Sequence, residues 1–356
     1  MPRTGYVGVM PVNRTSSTTR PTARRSRTPV TPVPAARRTR PGTVPAAQLR
    51  QIPIAGSQPK PSSSAADVVT AYLKIQVAAL RDLEPKVQAD EYDSVHQMRV
   101  ATRRLRATLR SFGQVIPRSR TEKVAADLKW LGGLLGAARD GEVVPAHLAA
   151  SLKPVPVELV IGPVQARIQG HFSPRRAAAR EEAIKAFTTV RYAKLLADLD
   201  RLALDPPLGP RAAEPASDVL PAAVHKAYRQ AARRMRLARH TPAGRDRDVA
   251  LHQARKSARR ARYAAEAATP AVGKQAEKFG KQMKKVQSVA GDHQDSVIAR
   301  AAARDLGIGA HLAGENAFTY GLLHDREYHR AHTLELKAHQ VWKRASRPRY
   351  RRWMKK

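Results

Sequence analysis

Residues 95–112 read VHQMRVATRRLRATLRSF, and 156 positions further on residues 251–268 read LHQARKSARRARYAAEAA. Projected around a helix at about 100° per residue, His96, Arg99, Arg103, Arg106 and Arg110 fall within an arc of about 80°. Met98, Leu105, Leu109 and Phe112 gather on the far side, so one face packs while the other presents an imidazole and a row of guanidiniums. The later stretch repeats the design with His252, Arg255, Arg259 and Arg262, and with Lys256 and Tyr263 at the edge of the arc. Its packing face is Ala254, Ala258, Ala261 and Ala265, small enough for a close helix approach. Where the first copy has Arg110 the second has Glu266. Arginines three and four apart repel by about a few tenths of a kcal/mol per pair, and no acid between His96 and Arg110 relieves the first row. Such a row is expected where anionic oxygens lie against it, because the fixed fork of guanidinium N–H groups binds phosphate in bidentate fashion. A solvated basic face is the alternative, and the duplication makes it the weaker one.

The duplication runs through the chain. Leu128-Lys129 with Gly136 and Asp140 matches Met283-Lys284 with Gly291 and Asp295 at an offset of 155, and Ala66–Val69 matches Ser217–Leu220 at 151. Three segments in one order at nearly one offset imply two halves of roughly 140 residues each, too long a period for a solenoid. From Ala66 onward Ala, Leu, Arg and Lys dominate and apolar residues recur three and four apart, the helical spacing. The stretch nearest to an alternating strand, Val155–Ile161, is flanked by prolines and reads as a loop. The expected fold is all-α: two pseudo-symmetric helical bundles sharing an interface, 66–205 and 216–345, with a basic C-terminal tail over 346–356. Helix boundaries are expected at Pro117, Pro145, Pro174, Pro221, Pro242 and Pro270.

Residues 1–65 differ from the rest. They hold ten Arg and one Lys, no Asp or Glu, and many Pro, Ser and Thr. Such a segment buries too little apolar surface to offset its ordering entropy and reads as a disordered basic tail, either a solvated spacer or an electrostatic arm. It resembles an organelle transit peptide in being Arg- and Ser-rich without acids, yet its prolines oppose an amphipathic helix.

Over all 356 residues, 65 Lys and Arg against 29 Asp and Glu leave a net charge of +36, which points to a polyanionic partner. Aromatic residues make up only 5%, thin for a single-strand binder that stacks bases on rings. The absence of cysteine excludes disulfides, thiolate catalysis and Cys-ligated metal or iron–sulfur centres. No apolar run approaches the length of a membrane span and the N-terminus lacks the apolar core of a secretory signal, so a cytoplasmic location without membrane insertion is expected.

His96 and His252 stand at matching places at the N-terminal end of each row. Phosphate contact, metal ligation and phosphoryl acceptance are all open to an imidazole. Neither has a His or carboxylate four residues along, which disfavours a helical metal pair and favours a hydrogen bond to a phosphate oxygen. The second shared block, Lys129 to Asp140 and Lys284 to Asp295, reads as a helix ending near glycine and turning into the next. Lys281, Lys284, Lys285 and His293 could extend the positive surface. Asp140 and Asp295 read as caps or as anchors for an arginine of the row, because no paired acid, Gly-rich phosphate loop or nucleophile–base motif accompanies them. The helix carrying His225, Arg229, Arg233, Arg234 and Arg236 reads as a solvated basic strip.

These stretches, with LKWLGGLLGAARDGEV, VQSVAGDHQDSV and ELVIGPV between the halves, resemble the CHAD family, the conserved-histidine α-helical domain, over about residues 66–345. The resemblance implies a pseudo-twofold pair of helical bundles that binds inorganic polyphosphate in a basic central groove and associates with polyphosphate granules. It places the family's pattern on His96, Arg99, Arg103, Arg104 and Arg106, then on His252, Arg255, Lys256, Arg259, Arg260, Arg262 and Tyr263. Many members are fused to a triphosphate-processing tunnel domain. Here a basic tail stands in that place, so the resemblance implies neither an enzyme nor a cofactor. Gly141-Glu142 follow the first Arg-Asp, where members often have an apolar residue and an acid, and they suggest a looser turn. The expected function is non-enzymatic polyphosphate binding. The alternative is a nucleoid-type nucleic-acid binder that uses the tail, and a phosphatase or kinase is disfavoured for want of a metal cluster or Walker-type loop. Oligomeric state is left open.

Overall fold

The Ser64 hydroxyl starts the first helix. It accepts from the Asp67 backbone N–H at 3.1 Å, and the Asp67 carboxylate accepts in return from the Ser64 N–H at 3.2 Å, so two otherwise orphaned donors are satisfied. The computed structural model describes residues 62–355; of the region read as a disordered tail, 1–65, residues 1–61 lie outside them and 62–65 lead into the first helix. Among the described residues there are nine α-helices and no strand: α1 Ala65–Gln88, α2 Ser94–Ser111, α3 Glu122–Leu152, α4 Val164–Phe187, α5 Val190–Leu204, α6 Ala216–His240, α7 Arg245–Val272, α8 Lys274–Leu312 and α9 Phe318–Ala345.

The sequence offsets match α1 with α6, α2 with α7 and α3 with α8. Chain order then matches α4 with α9 and leaves α5 as an extra helix of the first half, packed on α1 and α3. Matched helices also touch: α1 meets α6, α2 meets α7 and α3 meets α8. The beginnings of the two halves are tied by backbone bonds, Ala65 N–H to Glu214 O at 2.8 Å and Ala216 N–H to Ser63 O at 3.0 Å.

The packing faces read from the sequence are the buried ones. Met98, Leu105, Leu109 and Phe112 on α2 and Ala254, Ala258, Ala261 and Ala265 on α7 are all buried. The main core draws on both halves, which makes each bundle dependent on the other. A second core lies where α3 and α8 extend beyond it: Val144 and Leu148 pack with Ile168, Leu306, Tyr320 and Leu323. Each such Leu or Ile contributes about 1.5–3 kcal/mol by leaving water.

Prolines punctuate less than expected. Pro145, Pro174, Pro221 and Pro270 lie inside α3, α4, α6 and α7. A mid-helix proline costs about 3 kcal/mol, and the apolar packing around Pro145 is of the size that outweighs it, with Val144 and Leu148 both in the second core. Pro270 sits in the last turn of α7, where little helix remains to disrupt. The basic stretch after Ala345 is anchored: Met354 is buried, and Trp353 stacks edge-on against Phe279 with centroids 6.3 Å apart. Among the described residues no helix is long and apolar enough to cross a membrane.

Candidate anion-binding site

Both row-bearing helices leave a left-handed residue, Asp93 at φ 62° before α2 and Gly244 at φ 121° before α7. Asp93 caps nothing with its side chain. Its carboxylate instead stands 3.8 Å from Arg139 of α3 and acts on His96.

The two rows converge where α2 meets α7. Arg103 feels Arg99 and Arg262, and Arg259 feels Arg103, Arg255 and Arg99, so guanidiniums from both halves share one region. Burial, with the neighbouring arginines adding to it, lowers the pKa values of Arg103 and Arg259, and Arg259 drops to about 9. The Nε atoms of Arg103, Arg104, Arg255 and Arg259 are buried without a hydrogen-bond partner, as is Nδ1 of His252. An unpaired buried donor is costly, and these donors belong to the residues that the paired rows single out.

His96 and His252 flank the cluster. Burial, then Arg139, Arg103 and Arg99, lower His96 to about 4 despite the opposing pull of Asp93. Burial, then Lys256, Arg255 and Arg259, lower His252 to about 4. Both imidazoles are therefore neutral at physiological pH, each with one N–H to donate.

The glycines of the second shared block end no helix. Gly136 lies inside α3 and Gly291 inside α8, and each underlies an arginine. A Cβ at Gly136 would stand 3.5 Å from Nη2 of Arg99, and one at Gly291 only 3.2 Å from Nη2 of Arg255. At Gly291 the missing Cβ makes room for the Arg255 guanidinium across the neighbouring helix, whereas a Cβ at Gly136 would make ordinary contact with Arg99. Asp140 lies 3.7 Å from Arg99, and Asp295, Asp292 and Asp140 all act on Arg255. The two aspartates are thus anchors of the row and cap nothing. Burial raises the pKa of Asp295, with Asp292 and Asp140 adding to the rise against the pull of Arg255. Gly141 makes no looser turn either: a Cβ there would lie 3.0 Å from Arg176, so it lets α3 and α4 approach closely.

Other expected residues separate from this cluster. Arg104 turns to Glu266, 2.5 Å away, and lies over the Tyr263 ring at 5.7 Å, while Tyr72 donates to the same carboxylate at 3.2 Å. Arg262 also lies over Tyr263, at 5.1 Å, and reaches Gln287 at 3.1 Å. Tyr263 is itself buried and supports Arg104 and Arg262 from behind with its ring. Arg260 donates to Gln230 at 2.6 Å and, with Arg106 and Arg110, belongs to a group described further below. Lys129, Lys256, Lys284 and Lys285 are exposed, and Lys281 pairs with Glu277 at 2.5 Å. His293 corrects the sequence reading: it is 2% exposed and faces Asp248 at 3.3 Å, which also holds Arg300 at 2.9 Å. Two residues past Gly291, it points about 200° round α8 from the arginine seat. The sequence pattern does not mark Arg118 or Gln294, and it marks Arg139 only as a neighbour of Asp140 in the second shared block. Arg118 lies in a short 3₁₀ turn outside both duplicated blocks, so the repeat could not have found it.

The comparisons with known proteins can be set against this geometry. The model of the CHAD domain matches residues 71–304. Uncharacterized protein Rv2226 of Mycobacterium tuberculosis (strain ATCC 25618 / H37Rv) is 35% identical over 272 residues, which is 76% of this chain and 52% of that protein. Uncharacterized protein MT2285 of strain CDC 1551 / Oshkosh matches to the same extent, so the chain spans about half the length of the curated relatives it matches. Among solved structures, PptA from Streptomyces chartreusis shares the fold at a TM-score of 0.64 and 21% identity, over 79% of this chain and 100% of that one. The CHAD domain from the plant Ricinus communis does so at 0.59 and 24%, over 80% and 94%.

Proposed function

The chain belongs to the CHAD domain family, and from that premise and the site's geometry we propose that it binds inorganic polyphosphate without transforming it. The observation that carries the proposal is the meeting of Arg99 and Arg103 with Arg255 and Arg259, whose mutual repulsion no carboxylate at Arg103 or Arg259 relieves. A polyanion threaded between the rows supplies that relief. Its oxygens accept from the guanidinium N–H groups of Arg99, Arg103, Arg255 and Arg259 and from the imidazole N–H groups of His96 and His252. Release of counterions from several phosphates drives much of the affinity, so binding weakens steeply with salt. A bare phosphate chain fits between two helices where a duplex does not, which favours polyphosphate over DNA. In cells the protein then collects at polyphosphate granules.

The test is titration of polyphosphate of defined length and of duplex DNA at physiological salt, with and without residues 1–61, a truncation that spares the Ser64 cap and the ties of Ser63 and Ala65. Tight polyphosphate binding that survives the truncation is expected, with far weaker binding to DNA. Equal affinity for both, or loss of polyphosphate binding with residues 1–61, would overturn the reading in favour of a nucleic-acid binder. Incubation with polyphosphate and Mg²⁺ or Mn²⁺ is expected to release no phosphate, and a tagged copy in phosphate-replete cells is expected in granules and not over the nucleoid.

A further inference from the structure

The pseudo-symmetry of the α2–α7 pair breaks at its ends. At one end Arg104 meets Glu266, enclosed by Tyr72 and Tyr263. The equivalent place around Arg260 has Arg110 for Glu266, Ala223 for Tyr72 and Ala107 for Tyr263. The charges acting most strongly on Arg260 are all guanidiniums, those of Arg110, Arg118, Arg106 and Arg234. Among the described residues none of these five arginines is in an ion pair with a carboxylate. Arg118 spends one N–H on the Arg110 carbonyl and Arg260 one on Gln230, and Arg110, Arg118 and Arg234 are exposed to an incoming ligand. The acid and both rings that close the first end are missing from the second.

Resting on the polyphosphate reading, we infer that the Arg106–Arg110–Arg118–Arg234–Arg260 cluster is a second phosphate site, through which a long chain leaves the central rows at that end only. The protein then holds its ligand asymmetrically despite its duplicated fold. Chains that fill only the central rows make no use of the second site, and longer chains gain contacts on one side. The ends differ by two unit charges at a single pair of equivalent positions, Arg110 and Glu266.

The test compares a short and a long polyphosphate on the full chain and on R118Q/R234Q, two exposed arginines away from the central rows. About a tenfold loss for the long chain is expected, its salt slope falling by about one to two, with the short chain unaffected. R110E, which sets an acid beside Arg260 as Glu266 sets one beside Arg104, should lower the ratio of long-chain to short-chain affinity further. Equal losses for both lengths, or none, would overturn this inference and leave the polyphosphate reading standing. A wild-type chain that binds neither length would overturn both.

Discussion

Arg104 and Arg260 occupy equivalent positions on α2 and α7, yet the first rests against a carboxylate and the second against guanidiniums. Burial weighs on both, and Glu266 lifts the pKa of Arg104 above its ordinary value while Arg260 falls to about 10. The backbone duplication has been kept and the charge has not. At the Glu266 end the fold neutralises itself and joins its halves. At Arg103 and Arg259 of the central rows, and at the Arg110 end, the strongest charges on each guanidinium come from other arginines with no carboxylate among them.

The largest test of that contrast is R103Q/R259Q. Charge-assisted hydrogen bonds contribute about 1.5–3 kcal/mol each, so polyphosphate affinity should fall about a hundredfold or more by calorimetry. The melting temperature of the ligand-free protein should hold or rise as repulsion is removed, whereas a fall would assign these arginines to stability. Next comes a pair with opposite signs. E266Q leaves Arg104 without a counter-charge and should cost about 1–3 kcal/mol in urea unfolding, while R110Q relieves like charge and should be neutral or slightly stabilising.

Smaller effects follow from the glycine seats. G291A should lower affinity several-fold by pushing Arg255 aside, G136A less, and G133A not at all, because nothing lies within 4 Å of a Cβ there. All three should gain some helix stability, of up to about 1 kcal/mol, which separates affinity from folding. The smallest effect on affinity is that of pH. His96 and His252 are held near 4 in the free protein, below the ordinary value of about 6.5, so the unfolded chain binds more protons between those values. Stability of the ligand-free protein should therefore fall as pH drops from about 6.5 towards 4. Bound phosphate raises both imidazoles, so binding should take up protons and strengthen a few-fold towards pH 5.5. Calorimetry in buffers of different ionisation enthalpy reads this directly, and absence of proton uptake would show that bound phosphate leaves both imidazoles neutral.

What the sequence showed follows from what is periodic. The rows, their packing faces and the halves are legible because helical spacing and a near-constant offset are local or repeated signals. Gly136 and Gly291 read as helix ends because the guanidinium that each one faces comes from another helix and is not a local signal. His293 looked like part of a basic block until α8 ran on without a break and turned it towards Asp248. The arginines around Arg260 come from three separate segments, and no spacing rule joins Arg118 to Arg234. The Glu266 substitution was visible as a departure from the repeat, but its partners Arg104 and Tyr72 were not.

The alanine lining of α7 bears on dynamics. Ala254, Ala258, Ala261, Ala264, Ala265, Ala267 and Ala268 are all wholly sequestered, so this helix is gripped along most of its circumference. Its amides should be among the slowest in the molecule to exchange with deuterium. Arg255 and Arg259 thus ride on a spine rather than on a mobile flap, and successive anionic groups would meet a ruler of fixed spacing.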